Sequence, residues 1–389
     1  MSKKILITSL IAVILIGGIS GIVADRYLFP YIAASPSFSK YKFLKKAGEN
    51  VTIINKTEQV YVKEDSSINK LTNQIVPAVV NIISYPEKNN QTLSDNMNGT
   101  GEIMTSDGVI MTYASAIIPD YFSKQNLVVN QIGRIFKIIT NDGNVYDAKL
   151  LTIDSWSNLA FLKIEASNLP VISLGDSNEY NPGEKVIAIS NNGLEYENKF
   201  TAGLLSSFDP TYSISGEALS KAEKLEGVFL TDFNKEILSP GGLIMDYAGQ
   251  IIGITGSTIK NGTVDYFQIP SNKVKMVLEK VIADKIDSNI SLGAYYLPIT
   301  KTTELINNLP LDKGDLIYSS SSQQGLAVIA NSIADKAGLK INDIVKKVDA
   351  EDVSLENSLS DILYKYKKGD KAEFFILRDG KEIKIEVNF

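Results

Sequence analysis

The chain has 389 residues, 44% of them apolar and 22% charged, a composition that suits two or three folded domains with proper cores. Its 39 basic and 45 acidic residues leave a net charge of −6 and no basic stripe, which argues against a nucleic-acid partner. It contains neither cysteine nor histidine, which excludes disulfides, thiol nucleophiles, thiolate metal sites and the commonest general base, and leaves any catalysis to carboxylates, lysine, tyrosine or a bound cofactor.

Residues 5–23, "ILITSLIAVILIGGISGIV", carry no charge and follow Lys3 and Lys4. As a helix the run would span roughly 28 Å, close to the hydrocarbon thickness of a bilayer. The two lysines hold the start in the cytoplasm and send the rest across. An uncleaved single-pass anchor over 1–24 is expected, with the bulk of the chain extracytoplasmic at a bacterial cell membrane. A signal peptide cut after "IVA" is the competing reading. Residues 25–69 are mixed, polar and aromatic and read as a stalk with room for a self-association element, in which "VTIINKTEQVYVKEDSS" alternates like an exposed strand or extended arm.

Over 70–285 short apolar runs recur between turn signals, "SDG" and "NDG" among them, so that many short strands closing into a barrel or sandwich are expected. "PSNKVKMVLEKVIADKI" closes this part as a helix behind Pro270. Residues 286–389 read as a small α+β domain. "SLGAYYLPI" and "GLAVIA" are expected strands, "IADKAGLK" a short helix stopped by Gly338, "SLENSLSDILYKY" an amphipathic helix, and Asp379-Gly380 the turn of a last hairpin.

In their order and spacing these strings resemble the HtrA family of exported serine proteases, from about residue 70 to the end. "GTGEIMTSDGVIMT" is similar to the hairpin before that family's catalytic histidine, and "VYDAKLLTIDSWSNLAFLKI" to the strand pair carrying its aspartate. "TDFNKEILSPGGLIMDYAGQIIGI" is similar to the segment carrying its serine, and "YFQIPSNKV" to its helix entry. The resemblance implies a mainly β fold: a chymotrypsin-like double β-barrel followed by a PDZ domain, with the transmembrane helix in front.

The same resemblance locates the triad and shows it missing. Ser115 stands where the family has histidine, Asn158 where it has aspartate, and Pro240 where it has the nucleophile of G-N-S-G-G. Leu238 takes the position of the oxyanion-loop glycine. Acyl transfer needs an activated hydroxyl and N–H donors aimed at the oxyanion, and proline has neither. A Ser239 nucleophile with Lys235 or Lys199 as base, or an Asp232–Glu236 carboxylate pair, is less well specified than ordinary turn and surface roles.

In the C-terminal part the resemblance assigns a peptide groove. Leu292, Gly293 and Ala294 would form the carboxylate-binding loop, and Tyr295 would begin the strand that pairs with a peptide. Leu359, Ile362, Leu363 and Tyr366 would make the opposite wall. "SIADKAGLKINDIVKKVD" matches the domain's core, with Asn342 in a glycine's place. A groove filled by its own chain is the competing reading.

The expectation is therefore an envelope pseudoprotease that binds unfolded or C-terminal peptide segments as scaffold, chaperone-like binder or regulator. The resemblance implies a homotrimer, or a mixed oligomer with an active paralogue. No cofactor and no metal are expected. The alternatives are an active endopeptidase with a rearranged site, and a structural protein with a vestigial groove.

Overall fold

Short β-rich runs punctuated by tight turns close on themselves twice in this chain. The computed structural model describes residues 3–24, 28, 71–87, 95–119, 133–191, 198–214, 220–260, 262–285, 290–319 and 326–389. It divides into two units, Met1–Lys63 and Glu64–Phe389. In the first, a helix of 21 residues, Lys3–Val23, covers the apolar run. The side chains of its first turns lie outside the described residues, and among those described no helix is long and apolar enough to cross a membrane. The expected stalk and its arm fall outside the described residues except for Leu28.

In the second unit β1 (Val79–Pro86), β2 (Met97–Ile103), β3 (Val109–Tyr113), β4 (Arg134–Ile139), β5 (Val145–Ile153) and β6 (Leu159–Ile164) form a closed barrel in the order β1-β2-β3-β6-β5-β4. "SDG" and "NDG" make its β2–β3 and β4–β5 connections. In each a threonine hydroxyl, of Thr105 or Thr140, donates to the aspartate two residues on. All five residues of β3 are buried. A strand covered on both faces reads as an unbroken apolar run, as "VIM" does here.

The second barrel contains β7 (Lys185–Asn191), β8 (Asn198–Ser213), β10 (Glu226–Thr231), β11 (Leu243–Met245), β12 (Ile251–Lys260) and β13 (Thr263–Pro270), and the short strand β9 (Ser220–Lys221) leaves it between β8 and β10. The helix Ser271–Ile282 follows with Pro270 at its N-cap and buries Val274, Val277 and Leu278.

The C-terminal sheet runs β19 (Lys381–Asn388), β18 (Lys371–Arg378), β16 (Ile344–Val348), β15 (Asp315–Ile317), β14 (Tyr295–Pro298), and then β9 from the preceding domain, with the short β17 (Glu351–Asp352) paired to β16. Asn342 holds the left-handed φ of 71° that its glycine-like position requires, a conformation asparagine tolerates. Two expectations are corrected. "GLAVIA" contributes only a single bridge, Val328 to Ala294, rather than a strand. The helix in "SLENSLSDILYKY" is confined to Leu359–Leu363, and all its residues are buried. It is covered on both sides, so no polar face is left to water.

Candidate functional site

Two places collect the residues singled out by sequence: the contact region between the barrels and the edge of the C-terminal sheet. In the first, Ser115 lies in the turn of helix Ala114–Ile117 directly after β3, Asn158 immediately before β6, and Pro240 in the turn that leads into β11. Each carries polar or steric commitments of its own. The Ser115 and Ser257 hydroxyls share a 2.9 Å hydrogen bond that ties the first barrel to β12.

Asn158 is buried at φ 61°. Its amide donates to the Tyr113 hydroxyl at 3.1 Å and accepts from the Lys224 ammonium at 2.9 Å. A relay needs a carboxylate here to orient and stabilise an imidazolium. This chain instead has a neutral amide with a cation on it.

The loop around Pro240 keeps its frame. The Gly241 N–H donates to the Thr255 carbonyl at 2.8 Å, and the Thr255 N–H to the Gly242 carbonyl at 2.6 Å. Gly241 has φ 82°, and a Cβ there would lie 2.3 Å from the Thr112 hydroxyl and 2.5 Å from the Thr100 carbonyl. Only glycine fits. Leu238 is buried with Phe229, Phe233 and Ile244 in the core of the second barrel. Its side chain has become packing.

Ser239 is buried, with Oγ 3.4 Å from Thr100 Oγ1 and 3.5 Å from the Asn191 carbonyl. Lys235 pairs with Asp265 at 3.1 Å, and Lys199 is exposed on β8. No hydrogen bond joins Ser239 to a lysine among the described residues. The Asp232 carboxylate accepts the Leu204 N–H at 2.7 Å, while Glu236 is exposed.

One feature of this region carried no sequence signal. Glu102 is wholly buried on β2, and neither carboxylate oxygen has a partner. Burial raises its pKa well above the usual carboxylate range.

At the second place, Leu292, Gly293, Ala294 and Tyr295 form a loop and strand start. Leu359, Ile362 and Leu363 are fully buried, as are Leu292 and Ala294, and all five belong to one large hydrophobic core. Gly293 has φ 73°, and a Cβ there would meet Ser332 at 2.3 Å. Tyr366 sits to one side, donating to Asp349 at 2.7 Å.

The sequence did not reveal how firmly this side of the C-terminal domain faces the β5–β6 turn of the first barrel and the helix Ser271–Ile282. Tyr364 is buried edge-on against Trp156, with ring centroids 5.4 Å apart. Its hydroxyl donates to Asp154 at 3.3 Å, and Lys280 lies 3.9 Å from its ring. Lys273 and Asp361 form an ion pair at 2.5 Å, both side chains only 12% exposed.

Beside them the Tyr296 hydroxyl donates to the buried Glu226 at 3.0 Å, and the Leu359 N–H to the buried Asp315 at 3.0 Å. Burial first, then the Asp315 carboxylate, pushes the Glu226 pKa well up. Burial pushes Asp315 up to about 7 against the lowering effect of the Leu359 N–H. A cavity of about 590 Å³ opens at this joint, lined by Glu226, Lys273, Asp361, Phe208 and Met276 among others. No acidic cluster among the described residues is arranged to hold a metal ion.

Residues 99–254 match the family model of a trypsin-like peptidase domain, and residues 307–389 that of a PDZ domain. Serine protease Do-like HtrA of Bacillus subtilis (strain 168) is 31% identical over 337 residues, covering 83% of this chain and 73% of that protein. Serine protease Do-like HtrB of the same organism is 30% identical over 332 residues, covering 81% and 69%. Among solved structures, the HtrA-type protease AlgW with tripeptide superposes with a TM-score of 0.62 at 21% identity, covering 82% of this chain and 95% of that one.

Proposed function

This chain belongs to the HtrA family of serine proteases, and we propose that within it the chain serves as a pseudoprotease that holds peptide segments without cutting them. The observation that carries the reading is Pro240 at the centre of an otherwise preserved nucleophile loop. Proline supplies neither the attacking hydroxyl nor the N–H that would face an oxyanion. Loss of one oxyanion donor costs on the order of a hundredfold in rate. Here the nucleophile, the base and the orienting acid are replaced as well. Ser239, the nearest hydroxyl, turns inward toward Thr100 and Asn191. Peptide binding is carried over from the groove geometry and from the peptide held by the solved relative.

The setting belongs to the same proposal. The helix Lys3–Val23 anchors the chain, the two barrels and the PDZ domain stand outside the membrane, and the barrels associate as a trimer, with themselves or with an active paralogue. The domain limits proposed are 1–24, 25–69, 70–285 and 286–389.

The test is fluorophosphonate labelling of the full chain. No labelling is expected. Labelling that disappears in Ser239→Ala would replace this reading with an active enzyme built on a rearranged site. The companion experiment restores Ser115→His, Asn158→Asp, Pro240→Ser and Leu238→Gly together. Lys224 would neutralise the restored carboxylate at 2.9 Å, so the set is also made with Lys224→Ala. Labelling that appears only in the restored chain supports the assignment of these four positions.

A further inference from the structure

The edge of β14 is where a PDZ domain takes up a peptide, and in this molecule it is already paired. Residues 220–223, between the second barrel's strands β8 and β10, run antiparallel to it. Ser220 is opposite Tyr296 and Lys221 opposite Tyr295. The Ala222 N–H donates to the Ala294 carbonyl at 3.2 Å, which extends the ladder to the loop. At the loop itself the Glu223 carboxylate accepts the Gly293 N–H at 2.8 Å and the Ser291 hydroxyl at 3.0 Å through the same oxygen.

Direction, register and charge therefore coincide with those of a bound C-terminal peptide. A strand is added antiparallel to the sheet edge, it ends at the loop, and a carboxylate sits on the loop N–H. Ala222, the residue before the carboxylate, is completely buried, as a terminal side chain in its pocket would be. The segment continues away from the groove to other anchors. Lys224 reaches Asn158, the Leu225 N–H donates to the Trp156 carbonyl at 3.1 Å, and Glu226 receives the Tyr296 hydroxyl. One short stretch thus joins the groove to the β5–β6 turn of the first barrel.

We infer that residues 220–223 are an internal ligand of the PDZ groove, with the Glu223 carboxylate in the place of a chain terminus, so that an outside peptide ending in a small residue with a free carboxylate binds only by displacing them. This rests on the peptide-binding reading above and adds its regulation. The affinity seen by a peptide is the intrinsic affinity multiplied by the open fraction. Displacement also withdraws Lys224 from Asn158, which couples peptide arrival to the β5–β6 turn.

The full chain has no cysteine, so an engineered pair is unambiguous. Tyr295 donates its N–H to Ala327 and accepts from the Tyr318 N–H, so both of its backbone groups face away from the segment. Lys221 and Tyr295 are then a non-hydrogen-bonded antiparallel pair, whose Cα atoms approach to about 4.5 Å, within disulfide reach. In Lys221→Cys/Tyr295→Cys, mild oxidation should close the disulfide nearly completely. The oxidised chain should not bind a short fluorescein-labelled peptide ending in Ser-Lys-Ala with a free carboxylate, and reduction should restore binding.

Separately, Glu223→Ala should tighten binding of the same peptide about tenfold or more, the change expected when a charge-assisted hydrogen bond is lost from the closed form. The amidated peptide should bind in neither case. Thiols that stay free, an oxidised chain that binds as well as the reduced one, or an unchanged affinity in Glu223→Ala would each overturn the inference. Efficient crosslinking with no peptide bound in any form has a different meaning. It would sink the peptide-binding reading, and displacement with it, leaving the groove a closed structural joint.

Discussion

Replacing Tyr364 by alanine removes a side chain that is 2% exposed and stands between the PDZ helix Leu359–Leu363 and the β5–β6 turn of the first barrel. Truncating a buried aromatic costs about 3–5 kcal/mol. Within that total the edge-on contact with Trp156 at 5.4 Å accounts for about 0.5–1.5 kcal/mol. Lys280, 3.9 Å from the ring, adds about 1–2 kcal/mol. The two share one ring and do not add independently.

Tyr364→Phe is the control, since it keeps both ring contacts and loses only the 3.3 Å bond to Asp154. The other Asp154 oxygen still accepts from the Ser157 N–H and hydroxyl, so a cost of about 1 kcal/mol is expected. The assay is built in, because Trp156 is the chain's single tryptophan. In Tyr364→Ala its emission should shift to the red and become accessible to acrylamide, with Tm lowered by on the order of 10 °C. Tyr364→Phe should leave the emission unchanged. An alanine variant with the parent's emission, quenching and Tm would show that the groove helix does not pack on the barrel as described.

Asp315 has its folded pKa raised to about 7, above the unfolded carboxylate range, and Glu226 shifts the same way. Their neutral forms contribute stability that is fully present below about pH 4 and is lost as pH rises through about 7. Denaturant unfolding of Asp315→Asn should therefore show a shallower fall over pH 4–7 than the parent, by up to about 1.4 kcal/mol per pH unit. Parallel profiles would contradict this. Gly241→Ala should destabilise the chain by about 2–4 kcal/mol, combining left-handed strain with overlap on the Thr100 carbonyl, and denaturant midpoints check it. Glu102→Leu should stabilise by about 1–3 kcal/mol, because two partnerless buried oxygens leave. The gain in Tm should grow from pH 5 to pH 8, since burial holds the parent carboxyl neutral in the folded chain while it ionises freely in the unfolded one.

The barrels were legible because their information is local. Asp107-Gly108, Asp142-Gly143 and Asp379-Gly380 announce hairpins, and Pro270 before an apolar 3.6-residue period announces the helix Ser271–Ile282. The helix Lys301–Asn307 went unread, although Thr300 caps it by accepting the Thr303 N–H and Asn308 ends it in the left-handed region. Positions 115, 158 and 240 were assigned from the spacing of the glycines and strands on either side.

What could not be read is what depends on partners far along the chain. The strand Ser220–Lys221 pairs with residues more than seventy positions away through backbone groups, which leave no mark on side-chain periodicity. Glu226, Asp315 and Asp361 look like ordinary acidic residues until the fold gathers them around Lys273 and Tyr296. The same holds for Glu102. A carboxylate on an alternating strand reads as solvent-facing unless the second face is known to be covered.

The most direct test of the central claim is mass spectrometry of an unfolded reporter protein after prolonged incubation with the full chain at neutral pH. The reporter should be recovered intact, in amounts equal to a control without the chain. Reporter fragments that accumulate with time, and that vanish when Ser239→Ala or Lys235→Ala replaces the parent chain, would contradict it.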